Sequence, residues 1–223
     1  MTSKSNIILS ETIDYPDILT IASSDSKEII QNYLSDESKI ITGEAKNIQK
    51  VFFPKTTEEV ASILKEASKK RIQVTISGAG TGLTGSRVAF QGWIISTEKL
   101  KDVKPCQDEK IKTWTDSDSK QKFTVTIIEK EGNPPHIRVP VGMRLRTVHQ
   151  LVKSLGYFYP PDTTEWSSFI GGNVATNASG ARTFKYGSTR SYVEELVVVL
   201  SNGMAVRLTK NQTTDENETS RIL

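Results

Sequence analysis

The sequence predicts a mixed α+β fold. A strand, helix and strand follow one another between Val51 and Ser77: a short apolar run, then apolar residues on one face of a helix, then a second strand. A second amphipathic helix, Leu145 to Leu155, is punctuated by Gly156. Two short apolar runs flank Ser201-Asn202-Gly203, a hairpin signal.

Taken in order, residues 1–45 read as a leader with one short amphipathic helix, Ser26 to Leu34, and weak signals elsewhere. Residues 46–100 form a compact first unit. Val51-Phe52-Phe53 is a strand ended by Pro54. Thr56-Thr57-Glu58-Glu59 has the spacing at which a hydroxyl and a carboxylate satisfy orphan N–H groups at a helix start. That helix runs to about Lys70 with Val60, Ile63, Leu64 and Ala67 on one face. Arg71 to Ser77 and Trp93 to Ser96 are the next strands. Residues 101–122 are charged and irregular, which reads as a solvated insertion. The second unit, 123–209, has strand candidates Phe123 to Glu129 and Ile137 to Val141 around a turn at Glu131 to Pro135. Its helix places Val148, Leu151, Val152 and Leu155 together. Asn202-Gly203 suits a type I′ turn between Glu195–Leu200 and Met204–Leu208. Residues 210–223 are a polar tail.

Composition narrows the function classes. The 223 residues include 36% hydrophobic and 25% charged side chains, ordinary for a globular protein with a sizeable core. A net charge of +3, with scattered basic residues, lacks the stripe that nucleic acid selects. Cys106 is the only cysteine and lies in a polar stretch, so it reads as a surface thiol. His136, in a proline turn, and His149, on an apolar helix face, stand apart and make no metal-ligand spacing. No basic-then-apolar leader peptide opens the chain, so a cytoplasmic location is expected, with attachment to the inner membrane surface left open.

Two stretches carry almost no side-chain bulk: Ser77 to Ser86, with four glycines between Gly78 and Gly85, and Gly171 to Gly180. Such backbone comes close to a large ligand, and consecutive free amides make a nest for phosphate oxygens. A dinucleotide fits best. A P-loop would need Lys and a hydroxyl residue after its last glycine, where Ser86-Arg87 stands. Gly80-Thr81-Gly82-Leu83-Thr84-Gly85 matches G-x-G-x-x-G, but no helical period follows it, so a Rossmann domain is the lesser reading.

A third arrangement joins both stretches. Val74 to Leu83 resembles the pyrophosphate loop of flavoproteins related to vanillyl-alcohol oxidase. Tyr159 to Thr164, Ile170 to Asn177, Ser179 to Arg182 and Lys185-Tyr186-Gly187 resemble that family's second FAD-binding stretch. The likeness covers roughly Ile48 to Leu208 and is strongest to the glycolate oxidase and D-lactate dehydrogenase branch. It implies a PCMH-type FAD-binding domain of two α/β subdomains with FAD between them.

Carried over by position, the resemblance implies that Gly78, Ala79, Gly80, Thr81 and Gly82 give amides to the FAD diphosphate. It implies that Pro161, Asp162, Thr163, Gly171, Gly172, Asn173, Ala175, Thr176 and Asn177 line the isoalloxazine and ribityl side. Gly180, Ala181, Tyr186 and Gly187 would complete the floor. Turn or capping duty is open for Asn173 and Asn177, core packing for Tyr186, and a solvated face for Arg182 and Lys185. Thr81 stands where some relatives tether FAD through His, so non-covalent FAD is expected. The implied reaction oxidises a 2-hydroxy acid such as glycolate or D-lactate, with hydride passing to flavin N5 and an unspecified electron acceptor. Relatives continue into a substrate domain that this chain lacks, so a separate substrate-domain polypeptide is a possible partner. A flavin-binding module without turnover, or a superfamily member with other chemistry, remains open.

Overall fold

The computed structural model describes residues 7–16, 20–39, 42–106, 109–130 and 133–210. The first unit is a four-stranded sheet in the order β2-β3-β5-β4, with β2 Ser23–Ser24, β3 Ile48–Phe52, β4 Val74–Ser77 and β5 Gly92–Ser96. β2 runs antiparallel to β3; β3, β5 and β4 are parallel. Parallel pairing demands a crossover, supplied by helix α2, Thr57–Lys70. The predicted start holds: the Thr56 side chain accepts the Glu59 N–H (3.3 Å), and the Glu59 carboxylate accepts that of Lys55 (2.7 Å). Arg71 then takes a left-handed φ of 54° and ends the helix, which delays the next strand to Val74.

Every residue of β5 is buried, because the sheet is covered on both faces. Ile94 joins Val51, Ala89, Ile30 and Leu34 beneath helix α1, Lys27–Gln31. Its neighbours Trp93 and Ile95 point the other way, against Ile63 and Ala67 of α2.

The second unit holds two antiparallel sheets, β6-β7-β8 and β1-β10-β9. Their strands are β1 Ile7–Ile13, β6 Lys110–Thr115, β7 Lys122–Lys130, β8 Asn133–Arg138, β9 Glu195–Val199 and β10 Ala205–Lys210. Helix α3, Leu145–Ser154, buries Leu145, Val148 and Leu151 against Phe123, Val125 and Met143. It ends at Gly156, φ +80°, with the Tyr157 N–H bonded to the Val152 carbonyl and the Gly156 N–H to that of Lys153. The expected stop signal is therefore in place.

Several expectations change. The leader contributes β1 to one sheet and β2 to another. The charged segment 101–122 contains β6, whose Lys112 and Trp114 pair with Val125 and Phe123; partnership with an apolar strand overrides composition. Of the expected turn at Glu131 to Pro135, Asn133, Pro134 and Pro135 lie in β8, an edge strand that tolerates missing N–H donors; residues 131–132 lie outside the described residues. His136 is accordingly a strand residue opposite Ile128. The hairpin forms, yet only Gly203 has positive φ (+86°), so the turn is not type I′; the Gly203 N–H closes on the Leu200 carbonyl at 2.9 Å. The polar tail from 211 onward lies outside the described residues.

A charged cluster joins the two sheets of this unit. Arg138 holds Glu109 through two nitrogens (2.7 and 3.2 Å) and also pairs with Glu195, which Arg207 shares at 2.6 Å. The Arg138 guanidinium pulls the Glu109 carboxyl down to about 2 against the burial that opposes it. Cys106 is half-buried, its sulfur accepting from Arg138 (3.4 Å) and Arg207 (3.2 Å), so it is not the surface thiol expected. Among the described residues no helix is long and apolar enough to cross a membrane.

Candidate functional site: two glycine segments and the cavities beside them

The first glycine loop leaves β4 at Ser77 and enters β5 without an intervening helix, as the rejection of a Rossmann reading requires. Asp36, buried at 6% exposure, pins it from outside: its carboxylate accepts the Gly85 N–H (2.6 Å), the Ser38 N–H (3.0 Å) and the Ser38 hydroxyl (2.5 Å). Burial opposes that charge, but these bonds outweigh it and hold the carboxyl below its usual range. The Glu37 N–H reaches the Gly80 carbonyl, and Arg87 reaches the Gly78 carbonyl.

The glycines of this loop are glycines for different reasons. Gly80 and Gly85 have φ of +83° and +73°, a conformation side chains disfavour. Gly78 does not, and a Cβ built there meets nothing within 4 Å; at Gly82 the nearest atoms are 3.9 Å away. Protein packing does not exclude side chains at Gly78 and Gly82.

The second segment is not wholly a loop. Helix α4 takes Ile170–Ala175, and a four-residue helix, α5, takes Thr183–Tyr186. A Cβ at Gly171 would lie 2.7 Å from that of Val141, and one at Gly180 would lie 1.8 Å from the Asp162 carbonyl oxygen, so both glycines serve internal packing. Gly172 again faces open space. Asn177, φ +48°, accepts the Arg190 N–H through its side chain, the turn duty left open for it. Thr176 bonds back to the Gly172 carbonyl, and Gly187, φ +87°, ends α5. The Tyr186 ring meets Phe158 edge-on, and its carbonyl accepts the Tyr192 hydroxyl. Asn173 and Thr163 differ: both are buried, and Asn173 Nδ2 and Thr163 Oγ1 have no hydrogen-bond partner. Such orphans cost free energy unless a ligand or water meets them.

The stretch before α4 is tied by aromatic and charged contacts. Asp162 accepts the Trp166 indole N–H (2.8 Å) and pairs with Arg182 (3.2 Å), which sits over Phe158 while its side chain stays 41% exposed. His149 stacks on Trp166 at 5.1 Å and meets Tyr159 edge-on. Burial lowers the pKa of this imidazole and Arg182 adds to the effect, while Asp162 and a hydrogen bond to the Pro161 backbone pull the other way. Its Nε2 is buried without a partner.

The two glycine segments border different cavities. A polar cavity of about 330 Å3 is walled by Gly78 and Ala79 of the first loop and by Ser167 and Phe169 at the entry to α4. A larger apolar cleft, about 1690 Å3, runs from Ile76 and Thr97 to Gly171, Val174 and Ala175. Gly80, Thr81, Gly82, Pro161, Asp162, Thr163, Gly172, Asn173, Thr176, Asn177, Gly180, Tyr186 and Gly187 line neither. Arg87, Arg144, Tyr33 and Glu98, which sequence reasoning did not single out, border the smaller cavity. A signal existed for Arg144: it caps the N-terminus of α3, where a cation opposes the helix dipole.

The family of the FAD binding domain matches residues 48–115 and 123–209. The chain belongs to that family. FAD is therefore the cofactor of this domain, as the resemblance implied. The chain is 36% identical over 154 residues to a D-lactate dehydrogenase of Anaerostipes hadrus, covering 69% of this chain and 27% of the relative. It is 31% identical over 158 residues to the glycolate oxidase subunit GlcD of Bacillus subtilis, covering 70% and 29%. The chain thus spans less than a third of these relatives. In fold it is similar to a VAO-type flavoprotein from Myceliophthora thermophila C1, with a TM-score of 0.52 at 16% identity over 72% of this chain and 26% of that one.

Proposed function

We propose that this chain is the FAD-binding portion of an oxidoreductase that converts a 2-hydroxy acid into the 2-keto acid. The observation that carries the site is that Gly78, Gly82 and Gly172 lack side chains for no internal reason, as expected of backbone reserved for a cofactor. The orphaned Asn173 Nδ2 and Thr163 Oγ1 support the same fit. The amides of Gly78, Ala79, Gly80, Thr81 and Gly82 hold the diphosphate. Pro161, Asp162, Thr163 and the Gly171–Asn177 segment hold the ribityl and ring side, with Gly180, Tyr186 and Gly187 behind them. Bound FAD supplies a hydride acceptor at N5.

This chain's own residues then do three things. The glycine amides neutralise phosphate charge, Asn173 and Thr163 orient the polar ring edge, and the His149–Trp166–Asp162–Arg182 contacts keep the Pro161–Thr163 turn in place. The first loop contains neither His nor Cys, so the cofactor is held without a covalent link. The names of the relatives in hand, D-lactate dehydrogenase and glycolate oxidase subunit, support a small hydroxy acid as substrate. The base and the carboxylate clamp are assigned to no residue here, and a further polypeptide segment is expected to bring them.

The test is spectroscopic. The full chain titrated with FAD is expected to bind it and to release it on denaturation. With a segment supplying the substrate residues, glycolate, D-lactate or 2-hydroxyglutarate should bleach the flavin band. A chain that binds no FAD ends the proposal.

A further inference from the structure

The 330 Å3 cavity beside the first loop is more cationic than its glycine amides require. Arg87 forms one wall, fixed by bonds to the Asn32 carbonyl (2.5 Å) and the Gly78 carbonyl (3.3 Å) and packed 5.6 Å over the Tyr33 ring. Its Nε is buried and unpartnered. Burial lowers its pKa, and the Tyr33 hydroxyl and the Asp36 carboxylate offset that only in part.

Arg144 also lines this cavity and comes from the second unit. It packs over Phe169 and makes one long bond, 3.4 Å, to the Ser167 carbonyl. No carboxylate lies within ion-pair distance of it among the described residues. The first turn of α3 also has no acidic residue, so the cation sits where the helix dipole repels it. Glu98 is the one carboxylate on the cavity wall, and it is already held by the Tyr33 hydroxyl (3.2 Å) and Lys99 (3.5 Å). A group with several anionic oxygens would satisfy both guanidinium groups at once.

We propose that Arg144 is a phosphate clamp, closing from the second unit onto the diphosphate that the Gly78–Gly82 amides hold from the first. The inference rests on assigning that loop to the FAD diphosphate. It adds that the diphosphate is gripped by both units, which a backbone nest alone would not do.

The experiment compares FAD, ADP and riboflavin as ligands of the full chain, using flavin fluorescence and, for ADP, calorimetry. R144A and R144Q are expected to bind FAD and ADP about tenfold more weakly, with riboflavin unchanged and R144K partly restored. Increasing salt should weaken FAD binding to the wild type more steeply than to R144A. Circular dichroism confirms that the variants are folded. Variants that bind FAD and ADP like the wild type overturn the clamp and leave the loop assignment standing. An equal loss for riboflavin also overturns it, since riboflavin carries no phosphate. A wild-type chain that binds neither FAD nor ADP brings down the loop assignment and the clamp together.

Discussion

The two glycine segments look alike as sequence and differ as structure. In the first, Gly78 and Gly82 answer to nothing in the protein, and the loop is pinned from outside by Asp36. In the second, Gly171 and Gly180 answer to protein atoms at 2.7 and 1.8 Å, and only Gly172 is unconstrained. Glycine therefore records two causes, close packing within the chain and room kept for a ligand. Adding a methyl group to each separates them.

The largest effect is expected at Gly180. A Gly180→Ala chain must push back the Asp162 carbonyl, and thermal melting without FAD should show a loss of about 3 kcal/mol. A melt close to the wild type would mean that the second segment is as free of internal constraint as the first. Next comes the anchor of the first loop. Asp36→Asn weakens charge-assisted bonds to Gly85 and Ser38 in a buried setting, and should cost about 2 kcal/mol in the same measurement.

Gly78→Val should leave the melt within about 0.5 kcal/mol, because the site is open and its φ is not positive. Its FAD dissociation constant should rise on the order of tenfold, read by flavin fluorescence. A stability loss without an affinity loss would reverse the argument.

The smallest effect is the order of loosening in acid. Both anchors have lowered pKa values, so both stabilise the fold above the unfolded value and lose that contribution as pH falls through the folded one. His149 starts from 6.5 and Asp36 from 3.8, so the second segment should loosen first. The indole N–H resonance of Trp166, stacked on His149, should shift below about pH 6.5 while the Gly85 amide stays unchanged. Simultaneous change would show that the segments share one anchor.

What the sequence revealed follows the same division. Helices α2 and α3 and the hairpin were legible because their signals are local: a hydroxyl and carboxylate three residues apart, a glycine after an apolar stripe; α4 and α5, in and just after the glycine-rich stretch, were not. β1 was not, since it depends on a distant partner, β10, and β6 was hidden by its charged composition although its partner β7 follows directly. Both glycine stretches stood out by composition, but which glycine meets the protein is a matter of packing at 1.8–4 Å. Asp36, Arg87 and Arg144 were overlooked for a related reason. Asp36 reaches Gly85 across 49 positions of chain, and nothing beside it in the sequence announces the bond.

The pairing of Ile7–Ile13 with Ala205–Lys210 has a consequence for biosynthesis. Strand β1 waits for Ala205–Lys210 to be made, so its edge emerges from the ribosome with no companion. Until residue 210 has been translated that sheet has no middle, and the nascent chain carries an adhesive border that favours escort by a chaperone.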